Sequence, residues 1–447
     1  MEHIDWLLER FREAGHQPAT IWRDRIDSYS DLTGRYERWL DRLAADGVRE
    51  GDAVGVLSDF SPAAVSCLLA LIKMRCILVP LSWESRDQHE EFFRISELDF
   101  RVEVDDRDQS RISGLNYRRD HPLMTQLRSA NKAGLVLFSS GSTGRPKAIL
   151  HGLPELLNKF RAPRRRYRTL TFLLFDHIGG FNTLFYTLAN LGSVVAAGDR
   201  SVTGVCGIIE KHRVELLPTS PSFLNLMLLS EVHASHDLSS LKLITYGTEV
   251  MPERTLRAAN EAFPGVRFLQ TYGLSELGIL RSKSESDDSL RVKIGGEDYE
   301  TRVAEGRLQI RARSSMLGYL NAPSPFDDEG WFDTGDSVIR EGGYYRILGR
   351  ESDIINVGGQ KVYPAEVEQV LAEVDGIVDV SVRGESHLLM GQIVTATVQM
   401  EAPIPSVAMR KRIARHCKGR LQPFMVPAKV KVVTEEQVNY RFKKFRS

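Results

Sequence analysis

Apolar positions along this chain come in short blocks with two different periods. Up to about Asp106, helical and strand-like patterns alternate. Pro62 to Met74 reads as a buried helix and Cys76 to Pro80 as a short strand after it. Gly134 to Phe138 is an apolar run with the length of a buried strand, and Ser139 and Ser140 then open a cluster of Gly, Ser and Thr that predicts a loop. The alternation resumes with strand-like blocks at Val194 to Ala197, Val214 to Leu217, Leu241 to Tyr246 and Val266 to Gln270. In Pro218-Thr219-Ser220-Pro221, Ser220 is placed to cap a helix that Pro221 begins. Strands alternating with helices imply α/β layers around a largely parallel sheet.

The texture changes near Ile347. Val367, Val370, Leu371 and Val374 fall at i, i+3, i+4 and i+7, an amphipathic helix after Pro364. Val394, Ala396, Val398 and Met400 alternate with polar residues, a half-exposed strand. The expectation is two domains, 1–348 and 349–447, the second a small α+β unit. A chain of 447 residues is long enough for one large and one small domain. Its 42% hydrophobic and 26% charged content are those of a soluble globular protein. Formal net charge is zero, so nothing global points to nucleic acid or an acidic membrane. Cys67, Cys76, Cys206 and Cys417 are scattered without C-x-x-C spacing, which fits a reducing compartment and argues against a zinc site. The N-terminus is acidic where a signal peptide is basic, and the most apolar helical stretch, Ala63 to Ile72, is too short to span a bilayer. These features predict a cytoplasmic protein with no membrane span.

Chemistry concentrates in a few loops. Gly141-Ser142-Thr143-Gly144-Arg145-Pro146-Lys147 can offer backbone N–H groups and hydroxyls to phosphate oxygens, with Lys147 as a point charge. It lacks the Walker spacing, and a plain surface loop is the alternative. Downstream lie Thr271-Tyr272-Gly273-Leu274-Ser275-Glu276 and Gly330-Trp331-Phe332-Asp333-Thr334-Gly335-Asp336. Gly349-Arg350-Glu351-Ser352-Asp353 and Gly358-Gly359-Gln360-Lys361-Val362-Tyr363-Pro364 follow. In this order the set resembles the adenylate-forming superfamily: acyl- and aryl-CoA synthetases, peptide-synthetase adenylation domains and luciferases. The resemblance runs from about Ile26 to Arg446 and looks nearest to the acyl- or aryl-CoA ligases.

That resemblance implies a large N-terminal domain of layered α/β sheets, a short hinge and a small C-terminal α+β lid. It implies ATP phosphate contacts from Ser139, Ser140, Gly141, Ser142, Thr143, Gly144, Lys147 and Ser275, and a magnesium-associated acid at Glu276. Tyr272 resembles the adenine-stacking aromatic, with a core tyrosine as the alternative; Gly247, Thr248 and Gly273 border the nucleotide. Asp336 and Arg350 match the ribose-binding pair, which could equally pair with each other. His177, in Phe175-Asp176-His177-Ile178-Gly179-Gly180, matches the pocket histidine of acyl-CoA synthetases. Asp176 is one residue from the position at which amino-acid-activating relatives bind the α-amino group. Tyr246 stands where the family has Gly or Ala; it either narrows the acyl pocket or packs elsewhere. Ser352 falls at the hinge, and Gly358-Gly359 resembles the loop lining the thiol tunnel. Lys443 is placed as the catalytic lysine by Arg446 three residues on, although Phe442 replaces the usual glycine and Lys444 competes for the role.

The reading is an ATP- and Mg2+-dependent enzyme that activates a small-molecule carboxylic acid to an acyl-adenylate. It would then transfer the acyl group to a thiol, CoA or the phosphopantetheine of a carrier protein in trans, since only four residues follow Lys443. Two rivals are an adenylation enzyme loading an amino acid or fatty acid onto a carrier, and an adenylate-binding protein without transfer activity. The basic run Arg161, Arg164, Arg165, Arg166 and Arg168 suits a CoA phosphate or an acidic carrier, or is a solvated loop face.

Overall fold

The computed structural model describes residues 4–117, 119–140, 145–400 and 404–434, with Ser140 described for its backbone only. Two sheets with parallel cores lie over one another. The first is built on Ala53–Leu57 (β1), Ile77–Leu81 (β2) and Gly134–Ser140 (β3), which run parallel, and on Pro146–Gly152 (β4), which returns antiparallel along β3. Between β1 and β2 runs the helix Pro62–Lys73 (α1), opened by Pro62 and capped by Ser61, whose hydroxyl accepts from the Ala64 N–H. Every residue of α1 from Pro62 to Ile72 is buried. A helix held between two layers is apolar all round.

The second sheet contains Arg168–Thr171 (β5), reached through the arginine run. Two of its flanking helices are Ile178–Ala189 (α2) and Pro221–Leu229 (α3), and on one side of β5 lie Leu216–Thr219 (β6), Leu243–Tyr246 (β7) and, at the edge, Arg267–Gln270 (β8). β5 to β8 are parallel neighbours in that order. Strand alternation divides the packing between two faces. Val54, Val56, Leu78, Leu135 and Leu137 of the first sheet share one core with Phe181, Leu184, Phe185 and Leu188 of α2. Ile244 and Tyr246 of β7 face a second core with Phe223 and Leu224 of α3. Ser220 caps α3 as its sequence predicts, its hydroxyl accepting from the Phe223 N–H at 3.2 Å.

Three expectations are corrected. Ser139 and Ser140 are the last residues of β3 and not loop, opposite Lys147 and Pro146 of β4. β3 and β4 thus flank the phosphate-type cluster in sequence as an antiparallel pair. β6 begins at Leu216 and not Val214, because Arg213 ends the preceding helix in a left-handed conformation, φ +52°. β7 begins at Leu243 and not Leu241: Leu241 is buried but lies in the approach turn.

Beyond these sheets lies a third, wholly antiparallel one that includes Phe332–Glu341 (β9) and Tyr344–Arg350 (β10). A separate small core then begins at Ile355. It is built from Ile355–Val357 (β11), Gln360–Val362 (β12), Pro364–Leu371 (α4), Ile377–His387 (β13) and Gly391–Met400 (β14). Gly349 and Arg350 still belong to β10, so residues 351–354 join the two cores. This is the mixed α/β architecture expected, with a large N-terminal domain and a smaller C-terminal one. Among the described residues no helix is long and apolar enough to cross a membrane.

Candidate active site

In open parallel sheets the strand C-terminal ends leave a crevice where ligands bind. The motif Tyr272-Gly273-Leu274-Ser275-Glu276 emerges there, just after β8. It folds into a tight hairpin, with Gly273 opposite Ile279 and Leu274 opposite Gly278. Gly278 has φ +77°, the left-handed geometry that lets the chain return after three residues. A Cβ on Gly273 would lie 2.6 Å from the Gly278 carbonyl oxygen, so the hairpin closes only with glycine there.

Three groups from elsewhere hold this hairpin. His151 of β4 donates from Nε2 to the Ser275 carbonyl at 2.6 Å. A carbonyl only accepts, so the proton sits on Nε2; burial lowers the pKa of this histidine to about 4 and keeps it neutral. The Met316 N–H donates to the Glu276 carbonyl at 2.7 Å, and the Tyr319 hydroxyl donates to Glu276 Oε1 at 2.8 Å. Burial, then the neighbouring carboxylate, pushes the Tyr319 phenol well above its ordinary pKa, so it stays a donor. Lys147 of β4 places its ammonium over the Tyr319 ring, 5.0 Å from the centroid. The structure therefore joins Lys147 and Glu276 through one aromatic ring, although 128 residues lie between them in sequence (148 to 275).

Tyr272 reaches the other way. It is buried in the third sheet's core, and its hydroxyl donates to Asp336 Oδ2 at 2.5 Å. Asp336 lies opposite Arg350 across β9 and β10, with Arg350 Nε 3.5 Å from Oδ1. Burial raises the Asp336 pKa, and the Arg350 guanidinium partly offsets it. The Tyr272 phenol is raised well above its ordinary range by burial and by Asp336. Both alternatives named for these residues are thus realised: the tyrosine is a core residue, and the two charges pair.

On the second sheet, Gly247 follows β7 and sits against Thr271; a Cβ there would lie 2.6 Å from Thr271 Oγ1 and 2.9 Å from its carbonyl oxygen. Thr248 has φ +73°, a strained conformation for a β-branched residue and one that clusters at functional sites. Tyr246 corrects the expectation of a pocket wall: it is 1% exposed and packs into the core on the far face, while Thr245 lines a cavity between β6–β8 and α2. His177 caps α2, its Nδ1 accepting from the Gly179 N–H at 3.0 Å. Asp176 turns away into a buried network, with Oδ2 accepting from Ser82 Oγ at 2.7 Å and from Ser85 Oγ at 3.5 Å.

Ser352 lies in the short helical turn Glu351–Asp353 between the two cores and donates to Asp353 Oδ1. Gly358 and Gly359, φ +59° and +86°, form the two-residue turn joining β11 and β12, a geometry that needs positive φ at both positions. The arginine run is a pinned surface loop. The Arg164 N–H donates to Asn190, Arg165 lies over Tyr167, and Arg166 donates to Gln17. Gly141, Ser142, Thr143, Gly144, Lys443 and Lys444, and the side chain of Ser140, lie outside the described residues.

Sequence reasoning missed His151, Tyr319, Lys159 and Asn182. His151 stands in no motif, and Tyr319 is separated from Glu276 by 43 positions. Only the apolar strand around His151, which signals a buried and therefore bonded histidine, could have singled one of them out.

The chain is 27% identical to an indoleacetate–CoA ligase of Aromatoleum aromaticum, over 97% of this chain and 95% of that protein. It is 25% identical to a 2-succinylbenzoate–CoA ligase of Bacillus subtilis, over 96% and 93%. Its fold superposes on a crystal structure of the anthranilate CoA ligase AuaEII with anthranoyl-AMP at a TM-score of 0.83 and 20% identity, covering 99% of this chain and 95% of that one. The family model described as AMP-binding enzyme matches residues 7–320, and the model of the AMP-binding enzyme C-terminal domain matches 366–442. Together the two matches take in both cores and most of the sequence, and this chain belongs to the AMP-binding enzymes.

Proposed function

We propose that this enzyme is an AMP-forming acid–thiol ligase that works in two steps at the hairpin 273–279. In the first, a carboxylate oxygen attacks the α-phosphorus of ATP. The new P–O bond forms as the bond to the β-phosphate oxygen breaks, giving an acyl-adenylate and pyrophosphate. In the second, the sulfur of CoA attacks the acyl carbon; the C–S bond forms, the bond to the phosphate oxygen breaks, and AMP leaves. The protein's part is positioning and charge stabilisation.

The single observation that carries this reading is the convergence of two separated sets of residues on one hairpin. Lys147 and Glu276 meet at Tyr319 on one side, and Tyr272 binds the Asp336–Arg350 pair on the other. A nucleotide laid across Gly273 has a cation and hydroxyls for its phosphates at Lys147, Ser139 and Ser275, and a carboxylate acceptor for its ribose hydroxyls at Asp336. Magnesium fits the residues present. Glu276 gives one carboxylate oxygen to Tyr319, its Oε2 has no partner among the described residues, and this ion takes one or two protein carboxylates with phosphate oxygens and water for the rest. Among the described residues no group of three acidic, His or Cys side chains could hold a metal by itself, which fits an ion that arrives with the nucleotide. Bound there, it would neutralise charge on the phosphates. Lys443 is assigned to the charge developing between carboxylate and α-phosphate, and Ser352 and the Gly358-Gly359 turn to the lid's movement and the thiol's path.

The bonding of Asp176 supports an acid without an α-amino group. An ammonium needs a carboxylate partner when buried, and Oδ2 of this one is directed into the buried Ser82–Ser85 network. The test is pyrophosphate release from ATP over aromatic, aliphatic and amino acids, with CoA and with a phosphopantetheinylated carrier. Release with simple acids and thioester formation on CoA are expected. Activation of amino acids alone, or transfer to the carrier alone, would overturn the reading.

A further inference from the structure

The cavity between α2 and the second sheet has a volume of about 170 Å³. It is lined along the sheet by Leu216 and Pro218 of β6, Leu243 and Thr245 of β7 and, from β8 onward, Leu269 and Thr271. Thr271, at one end, adjoins Gly247 and precedes Tyr272, so that end meets the nucleotide side of the hairpin. α2 runs from its cap at His177 near this end towards Asn190 at the other. A cavity of roughly 150 Å³ holds a benzene ring. This one therefore has room for a single ring or a group of that size.

Its walls are mostly apolar, with hydroxyl side chains such as Thr183 among them, and cationic groups enter at Lys159, Arg164 and Arg281. Lys159 lines the cavity, and its ammonium donates to Asn182 Oδ1 at 2.6 Å and to the Ile279 carbonyl at 2.7 Å. An ammonium has three donors; the one beyond these two has only the Phe160 ring, its centroid 4.9 Å from the nitrogen, as a neighbour the described residues provide. The lysine fixes the amide orientation of Asn182, since only Oδ1 can accept. The Asn182 amide N–H groups have no partner among the described residues, and Asn182 also lines the cavity. No carboxylate among the described residues lies within 4.0 Å of Lys159, so its charge has no protein counterion there. Desolvation, then the Arg164 guanidinium, lowers its pKa to about 7, and an acceptor on a bound acid would favour the charged form. Asn182 stands five residues beyond the helix cap, about 7.5 Å along the axis at 1.5 Å per residue. Asn182 thus lies inside the cavity more than one helical turn past His177, and Lys159 reaches it from beside Ile279.

We infer that the acid is of single-ring size and carries, away from the carboxylate to be activated, an oxygen acceptor such as a second carboxylate, a carbonyl or a phenolic oxygen, which Lys159 and Asn182 bind. This rests on the adenylation reading above and adds the class of acid. Lys159 acts here as a specificity residue and takes no part in the chemical step. Asn182 orients it and supplies a second donor.

The experiment measures kcat/KM for pyrophosphate release from benzoates that bear a carboxylate, a hydroxyl or a methyl group at the 2, 3 or 4 position, in wild type, Lys159→Met and Lys159→Arg. Melting temperatures check that each variant folds. In wild type, the best oxygen-bearing acid should exceed its methyl counterpart at the same position by at least tenfold. Lys159→Met should remove that preference, mainly through KM, while the methyl-bearing acid changes by less than about threefold; Lys159→Arg should restore part of it. Carboxylate against hydroxyl shows whether the acceptor is charged or neutral. A wild-type preference for methyl, or an equal loss on both acids in Lys159→Met, would overturn the inference and leave the adenylation reading standing. Pyrophosphate release with none of these acids, nor with any acid of the wider panel, would overturn both.

Discussion

Asp336 is a buried carboxylate between a phenol and a guanidinium, and it shows how a binding residue can cost stability. Burial raises its pKa above the unfolded value near 3.8. Below 3.8 the group is protonated in both states and exerts no penalty. As pH rises from there through the folded pKa, the unfolded chain gives up its proton more readily, and this group's contribution turns unfavourable. Asp336→Asn should therefore leave the melting temperature at pH 7.5 unchanged or raised, with any gain shrinking towards pH 4, while KM for ATP rises at least tenfold. Scanning calorimetry at both pH values and initial rates check the two halves. Glu276→Gln keeps an acceptor for the Tyr319 hydroxyl but loses charge, so it should fold normally and need at least tenfold more magnesium for half-maximal pyrophosphate release. A magnesium titration matching wild type would remove Glu276 from the metal. The glutamate was legible in the sequence because its hexapeptide is specific. Tyr319, which binds it, was not, because the contact between positions 276 and 319 is made by tertiary packing alone.

At the level of elements, the close approach of the β7 and β8 ends fixes the nucleotide side of the crevice. The Thr271 N–H and hydroxyl both donate to the Tyr246 carbonyl, at 2.8 and 3.1 Å. Gly247 fits against that pair only because it has no Cβ. Gly247→Ala should cost about 1–3 kcal/mol, as overpacking does, read as a lower urea midpoint at unchanged slope. Adenylation should fall by a larger factor than stability explains, because the displaced backbone borders Tyr272. Hydrophobic periodicity revealed the helices and strands of this region because strands buried on both faces are continuously apolar. It failed at their edges. Ser139 and Ser140 look like loop, yet β4 pairs with them to the end of β3. Leu241 looks like strand, yet is a buried turn residue, since burial and not conformation is what apolar character reports. Tyr246 could not be placed from its motif because a strand's faces differ by a single residue in register.

Across the whole molecule, the two cores are joined by residues 351–354; α4 of the smaller one packs against β10, and its Gln369 Nε2 donates to Glu253 Oε2 at 3.0 Å. An exposed hydrogen bond adds little to that packing, which suits a lid that serves two different steps. Lys443 is assigned to the first of them: Lys443→Ala should slow adenylate formation by orders of magnitude and leave thioester formation from supplied acyl-adenylate within about threefold. Lys444→Ala should spare both. The reverse pattern would shift the assignment by one residue. The central claim is that activation and transfer are separate steps at one site. A single-turnover experiment tests it most directly: enzyme, magnesium, ATP and an accepted acid are mixed without thiol, and CoA is added afterwards. The account predicts about one equivalent of pyrophosphate and of enzyme-bound acyl-adenylate before CoA, then AMP and acyl-CoA in matching amounts after it. Pyrophosphate that appears only once CoA is present, or ADP and inorganic phosphate in place of AMP, would contradict it.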